Sequence, residues 1–489
     1  MKGQVVNPYL PSYEYIPDGE PHVFGDRVYV YGSHDRFGAP IFCMNDYVCY
    51  SATTDDLSDW RYEGVIYRKN QDPKNRLGLH LLFAPDVTQG PDGRFYLYYA
   101  YDFMGIMGVA VCDTPAGQYE FHGHVHFPNG KLWGRTTGDQ FPFDPGVLTD
   151  DDGRVYLYSG FYTGVPAIMT GFHKLKNDGG VVMELENDMV TIKEGPKLLF
   201  PKQGEGSFVN HEFFEASSIR KKDGKYIFVY SSVHNHELCY AVSDYPDRDF
   251  VFGGTLVSQG DLFLDGNEDE EKAVNYLGNT HGGIEEINGQ WYVFYHRQTN
   301  QHSYSRQACA ERLQLDEHGN FKQAEVTSCG LNEGPLKGLG VYEARIACNL
   351  YSKDGVGRYD GGNVRKKLAA HPYFTQSEKD ISPENCGANE KMPVQFIANM
   401  RDGAVAGFKY FDSDLLSAKS IALRTRGDGN GEVVVATDMH FRKIAAVVPI
   451  RLGVADEAEI HVDEEDSKIP LYFRFQGEGT IDFISFELR

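Results

Sequence analysis

The chain has 489 residues, including 53 Gly, 22 Pro and 13% aromatics, which is too long for one compact core and too rich in Tyr and Phe for disorder. Lys plus Arg number 47 against 70 Asp plus Glu, a net charge of −23 that opposes broad contact with nucleic acid or an anionic membrane surface. No apolar run approaches the roughly 20 residues of a membrane-spanning helix, so two soluble domains with neutral partners are expected, and neither nucleic acid nor a membrane is among them.

The N-terminal run Met1-Lys2-Gly3-Gln4-Val5-Val6-Asn7-Pro8 has no apolar h-region and no small-residue cleavage site, so a cytoplasmic location is expected. The eight cysteines, at 43, 49, 112, 239, 309, 329, 348 and 386, form no CxxC pair and predict neither disulfides nor zinc.

Further along, a turn glycine followed by alternating aromatic and aliphatic residues recurs five times. The copies are Gly25-Asp-Arg-Val-Tyr-Val-Tyr31, Gly93-Arg-Phe-Tyr-Leu-Tyr98, Gly153-Arg-Val-Tyr-Leu-Tyr158, Gly224-Lys-Tyr-Ile-Phe-Val-Tyr230 and Gly289-Gln-Trp-Tyr-Val-Phe-Tyr295. Successive glycines lie 68, 60, 71 and 65 residues apart, a period suited to about four short strands per unit. Asp or Asn precedes four of these glycines, which predicts strand, tight primed turn, strand. The repeat therefore predicts a five-bladed β-propeller over residues 1–335. An open sandwich of similar hairpins is the competing architecture, and even spacing disfavours it.

Beyond a Gly-rich connection from Gly330 to Gly340 the repeat stops. Strand-length runs such as Ile421-Ala-Leu-Arg-Thr-Arg426, Glu432-Val-Val-Val-Ala436 and Ile481-Asp-Phe-Ile-Ser-Phe-Glu-Leu488 predict a β-sandwich over 345–489. The predicted fold class is all-β, a propeller followed by a sandwich.

Seven to nine residues before the repeat glycines stand Asp18, Asp86, Asp144, Glu215 and His281. In a propeller the first strands line a central channel, so matched positions on five of them converge. Carboxyl groups crowded in low dielectric cannot all ionise, and pKa values driven apart suit paired acid and base chemistry. Glycoside hydrolysis needs one acid for the leaving oxygen and one carboxylate for water or carbon, with no organic cofactor. Turn caps or structural ion pairs are the bland reading of the same residues.

The stretches Ile16-Pro-Asp-Gly-Glu-Pro-His-Val-Phe24, Phe143-Asp-Pro-Gly-Val-Leu-Thr-Asp-Asp-Asp-Gly153, Phe214-Glu-Ala-Ser-Ser-Ile219 and Thr280-His-Gly-Gly-Ile-Glu-Glu-Ile287 resemble blade motifs of glycoside hydrolase family 43, as does Val109-Ala-Val-Cys-Asp-Thr-Pro-Ala-Gly117. The resemblance implies an inverting, exo-acting propeller hydrolase releasing a terminal α-L-arabinofuranose or β-D-xylose from plant cell-wall oligosaccharides. It implies Asp18 as general base, Glu215 as general acid, Asp144 as the group that orients Glu215 and tunes its pKa, and His281 as a residue near a calcium ion at the channel centre. Asp86 is expected to touch substrate or structure. Two departures stand out: Glu20, in Pro-Asp-Gly-Glu-Pro, rivals Asp18, and Phe83 stands where the family more often has Trp. Other specificities of the family, such as β-D-galactofuranoside, a non-catalytic sugar-binding propeller, and a retaining fructoside-active clan remain alternatives.

Elsewhere, Trp133 in Gly130-Lys-Leu-Trp-Gly134 offers an aromatic plane for a sugar ring, and His234, in His234-Asn-His236-Glu237, is expected near the channel mouth, touching substrate. His122-Gly-His124-Val-His126 has metal-compatible spacing but reads better as a solvated strand edge. The C-terminal region, with Gly407-Phe-Lys-Tyr-Phe411, resembles carbohydrate-binding module family 6, and with no Trp there Tyr359 or Tyr373 would have to supply a platform. A homo-oligomer is left open.

Overall fold

The structure, a computed structural model, describes residues 3–264, 266–359, 370–377, 393–464 and 466–489; Cys386 lies outside them. Among the described residues the chain is all-β with a few short 3-10 turns, and no helix is long and apolar enough to cross a membrane.

Four four-stranded antiparallel meanders span 20–67, 82–124, 146–201 and 213–258, and a fifth sheet spans 284–312. The fifth has three strands rather than the expected four and is followed by a two-stranded hairpin, Gln314–Leu315 with Phe321–Lys322. Each repeat copy is the turn into, and the body of, the second strand of its sheet. All five repeat glycines have positive φ, between 66° and 84°. In the fourth and fifth sheets Asp223 and Asn288 also have positive φ, 50° each, as a primed two-residue turn requires. In the second and third sheets only the glycine does, and its N–H donates to the carbonyl three residues earlier (Gly93 to Gly90, Gly153 to Asp150, 2.9 Å each), a wider turn than expected.

The second strands are buried on both faces, as Phe95–Tyr101 is along its whole length, because each sheet is packed between two others. That explains why the repeat alternates aromatic with aliphatic residues instead of apolar with polar ones. Its last residue, Tyr, supplies a phenolic O–H that must find a partner when buried. In three copies the partner is a carbonyl of the next sheet in the chain: Tyr31 to Pro115, Tyr98 to Met189 and Tyr158 to Pro246, at 2.6–2.7 Å.

The first strands touch one another in cyclic order, and the fifth returns to the first. Gly19 and Gly282 form a parallel bridge across that junction. A Cβ on Gly282 would lie 1.9 Å from the Phe294 carbonyl oxygen, so only glycine admits this approach. The N-terminal segment locks the same junction: the Asn7 side-chain amide donates to the Ala310 carbonyl (3.0 Å) and Glu311 carboxylate (2.8 Å), and its backbone N–H donates to Ser328.

The C-terminal part is a sandwich of two six-stranded sheets. It begins ahead of residue 345, because Gly340–Glu343, which starts at the last residue of the Gly-rich connection, pairs with Ile481–Leu488. Its core is continuous with Tyr276, Cys329 and Leu336 of the preceding part. Lys409, 2% exposed, reaches Asp261 and Glu325 at 2.8 Å each, and Tyr15 is hydrogen-bonded to both Gln376 (2.6 Å) and Gln395 (2.9 Å). Tyr359 is buried and stacked on Tyr276 with ring centroids 4.9 Å apart, so it offers no platform to a sugar.

Candidate active site

Asp18, Asp144 and His281 stand just ahead of the strands Glu20–Phe24, Gly146–Thr149 and Ile284–Ile287, and Glu215 lies in Phe213–Lys222. The ring of first strands brings these four side chains to one pocket of about 250 Å³. Asp18 (φ 59°) and Asp144 (φ 43°) both adopt the left-handed conformation that Asp tolerates better than most residues. Beside Glu215, Ala216 has φ 70° and the register to the neighbouring strand shifts, a bulge that re-aims the carboxyl group. Backbone strain thus gathers where the acids meet.

The environments of the acids differ sharply. Burial alone would raise the Asp18 pKa, but Arg306, whose Nη1 is 2.8 Å from Oδ1, more than offsets it and holds the carboxyl well below the usual range. Arg306 is fixed by Asp35, to which Nε (2.8 Å) and Nη2 (3.1 Å) donate in a two-pronged clamp. His296 also faces Asp18. Its Nε2–H donates to the Asn279 carbonyl (2.8 Å), so Nδ1 accepts from the Asp18 backbone N–H (3.3 Å), and burial keeps the ring neutral.

Glu215 is shifted in the opposite direction. Burial, then the nearby Asp144 charge, raise it well above the ordinary carboxyl range. Burial raises Asp144 too, opposed by His281, whose Nδ1 is 3.4 Å from Asp144 Oδ2. Although burial works against charge on His281, Asp144 and the neighbouring Asp18 and Glu20 carboxylates lift it to about 9. Asp144 Oδ2 also accepts the Ala216 N–H (3.2 Å), anchoring the backbone that carries Glu215. One pocket therefore contains a carboxyl group driven toward its ion and another driven toward its acid.

Phe83 lines the pocket, within a wall that also includes Phe42, Phe103, Phe143, Phe161 and Phe214. These rings pack in series, with Phe103 stacked on Phe143 (5.8 Å, 7°) and Phe143 4.6 Å from Phe161. The polar side is completed by Asn235, Asn279 and Ser303, and Asn235 Oδ1 is buried without a hydrogen-bond partner.

Several residues weighed for the site make structural contacts instead, which for Asp86 was one of its two expected roles. Asp86 is fully buried away from the pocket, where it ties three first strands together by accepting from Val87 N and Val147 N (2.7 Å each) and pairing with His22 Nε2 (2.6 Å). Its strand shifts register between Phe83 and Asp86, which explains why one faces the pocket and the other does not. Glu20 is also fully buried outside the pocket, held by Ser218 (2.9 Å) and Arg220 (3.2 Å). Trp133 is 1% exposed and packs in the core between the second and third sheets, offering no face to a sugar. His234 does not line the pocket, and its Nε2 contacts the Asn210 carbonyl (2.7 Å). His122, His124 and His126 each find a separate partner, respectively Asp188 O, Asp72 and Phe127 O.

Among the described residues, three groups place potential metal-binding atoms within 4.8 Å of one another: His211, Glu237 and Cys239; His234, His236 and Glu270; and Glu20, His22 and Asp86. None of the three includes His281. Arg306, Asp35 and the aromatic wall beyond Phe83 were not legible as site residues; the available signal was an arginine in the strand His302–Arg312 that follows the fifth repeat.

The sequence model of glycosyl hydrolases family 43 matches residues 16–321. The chain belongs to glycoside hydrolase family 43. A xylosidase/arabinosidase of Thermoclostridium stercorarium is 47% identical to it over 495 aligned positions, covering 100% of this chain and 99% of that protein. The xylosidase/arabinosidase 43A of Humicola insolens is 30% identical, covering 58% of this chain and 88% of that protein. Among solved structures, the family 43 arabinoxylan arabinofuranohydrolase of Bacillus subtilis, in complex with cellotetraose, aligns over 99% of this chain and 97% of its own, with 21% identity and TM-score 0.50. A family 43 enzyme of Xanthomonas citri complexed with xylose aligns over 66% and 93%, with 24% identity and TM-score 0.51. These two likenesses concern the fold, and family 43 folds of this kind are β-propellers.

Proposed function

We propose that this family 43 hydrolase is an inverting exo-glycosidase that removes terminal α-L-arabinofuranosyl or β-D-xylosyl residues from plant cell-wall oligosaccharides. One observation carries the reading: Asp18 and Glu215 share a single small pocket, and their ionisations are pushed in opposite directions. A carboxylate held as its ion by Arg306 is a base for water, and a carboxyl group kept protonated by burial and by Asp144 is an acid for the leaving oxygen. The names of the full-length relative and of the Humicola enzyme, both xylosidase/arabinosidase, support a pentose.

In this mechanism the phenylalanine wall covers the apolar face of one sugar and excludes water, while Asn235, Asn279 and Ser303 are placed for its hydroxyl groups. Asp18 takes a proton from the attacking water as Glu215 gives one to the departing oxygen. Asp144 keeps Glu215 protonated through its charge and fixes its backbone through Ala216. The pocket volume of about 250 Å³ suits one terminal residue, below the ~300–1,000 Å³ typical of sites for larger ligands.

The family resemblance implies calcium near His281. His281 Nε2 and Glu20 Oε1 are buried and unpartnered; Glu20 offers the hard oxygen that calcium takes, and His281, a nitrogen group, would face the ion through its waters. When bound it would supply fixed positive charge at the channel centre. The propeller, residues 1–335, is read as the catalytic unit, and the sandwich as a module resembling carbohydrate-binding module family 6 that braces it through Lys409 and Tyr15.

The test is a panel of aryl α-L-arabinofuranoside, β-D-xyloside and β-D-galactofuranoside substrates with wild type and Glu215→Gln, with the first-formed anomer followed by NMR. Hydrolysis of the pentosides with inverted anomer, strongly lowered in the variant, is expected. A retained anomer, or equal rates for the two proteins, overturns the assignment.

A further inference from the structure

The stretch His234-Asn235-His236 plays no part in the proposed hydrolytic chemistry, apart from Asn235 in the pocket wall. It forms the turn between the strands Lys225–Ser232 and Glu237–Ser243, and the two imidazole centroids lie 5.7 Å apart. The short turn Glu270–Lys272, from the connection between the fourth and fifth sheets, brings a carboxylate to them, so that one potential ligand atom from each of His234, His236 and Glu270 lies within 4.8 Å of the others.

His236 is completely buried, yet its Nε2 has no hydrogen-bond partner. The ring is not adrift, since Nδ1 contacts Ser258 Oγ at 3.1 Å and so aims Nε2 at Glu270. Glu270 Oε1 lies 3.5 Å from Nε2. Two ligands on a tetrahedral ion with bonds of ~2.0–2.1 Å stand about 3.4 Å apart, which is this separation. Arg358 takes the other oxygen of Glu270 and leaves Oε1 free to bind. His234 uses Nε2 on the Asn210 carbonyl, so Nδ1 is its available atom. Glu270, 41% exposed, opens the group to solvent.

In the other two candidate clusters no nitrogen is buried without a partner, and the one orphaned atom is the Glu20 oxygen read above beside calcium. His211 Nδ1 is already 2.7 Å from Glu237, which also accepts from Ser232 and Thr255, and the Asp86 oxygens are taken by His22 and backbone N–H groups. Only the group of His234, His236 and Glu270 leaves a buried nitrogen unmatched.

We propose that His234, His236 and Glu270 form a binding site for one divalent transition-metal ion of the zinc class, with water as the fourth ligand. The expectation of no zinc rested on cysteine spacing, whereas this donor set is imidazole and carboxylate. The site flanks Asn235, whose carbonyl accepts the Thr280 N–H (2.9 Å) one residue before His281, so a bound ion ties together two loops that line the pocket.

The experiment uses full-length, tag-free protein stripped with chelator and titrated with Zn²⁺ by calorimetry and with Co²⁺ by absorption. Wild type should take up one saturating ion at this site, with visible bands of tetrahedral Co²⁺. His236→Gln and Glu270→Gln should each weaken uptake at least ~10-fold, and His211→Gln should not. Glu270 lies at the surface, so Glu270→Gln separates ligand loss from misfolding, and circular dichroism checks these variants and His281→Asn. Absence of saturable binding in wild type, uptake unchanged in both His236→Gln and Glu270→Gln, or uptake lost only in His211→Gln or His281→Asn overturns the proposal.

Discussion

Arg306 Nη1 sits 2.8 Å from Asp18 Oδ1 while the other prongs of the same guanidinium grip Asp35. A buried carboxyl beside this fixed charge loses its proton early, so it is already ionised when water has to be deprotonated. Replacing Arg306 with Gln removes the charge that offsets burial. The acid limb of the kcat/KM profile should then move up by more than about one pH unit, equivalent to about 1.4 kcal/mol per unit. Arg306→Lys should move it less, because a point charge replaces the planar fork. An acid limb that stays in place in Arg306→Gln would exclude this role for the arginine.

Asp35→Asn leaves Arg306 buried with Asp18 as its single carboxylate partner. Removing one member of a buried charge cluster costs about 3–5 kcal/mol. The variant should melt well below wild type, with the acid limb moved far less than in Arg306→Gln. Wild-type melting behaviour would show that the clamp is energetically idle.

Glu215→Gln retains the shape of the side chain without its proton. Loss of a general acid should lower kcat by roughly 10²–10⁴-fold. The loss should shrink for phenols that leave easily without help, and the alkaline limb, which reports deprotonation of a carboxyl raised by burial and Asp144, should disappear. A leaving-group series measured on both proteins checks this, and a uniform loss across the series contradicts the acid assignment.

His281 has a further effect, on stability. It keeps its proton to about 9 in the folded chain, against ~6.5 when unfolded. Its stabilising contribution is complete below pH ~6.5 and fades as pH rises to about 9, because over that interval the folded state binds a proton the unfolded chain has released. Glu20, raised to about 8 by burial and Asp86, acts in the same direction over an overlapping range. In chelator, the melting temperature should fall between pH ~6.5 and 9, and His281→Asn should flatten that fall. Parallel curves for the two proteins would contradict the assignment.

How much of this was legible depends on distance along the chain. The repeat glycines and their aromatic strands declared themselves because turn chemistry and strand pattern are local properties. Matched spacing then sufficed to bring Asp18, Asp144, Glu215 and His281 together. Asp86 obeyed the same spacing but not the same direction, because a register shift after Phe83 turns it inward, and a bulge leaves no mark in the sequence. Trp133 looked like a loop residue between glycines, yet its backbone N–H donates to the Val125 carbonyl (3.1 Å) and draws the ring into the core. Asp35 and Arg306 could not have been paired in advance, since their bond joins positions 271 residues apart.

The Asn7 latch reaches across 303 residues to Ala310, and the sheet it secures is the last of the ring to be translated. A ribosome must therefore release almost all five sheets of the ring before the first segment can find its place. Truncated products that stop short of this point should be inert and prone to degradation, because the ring has nothing to close on.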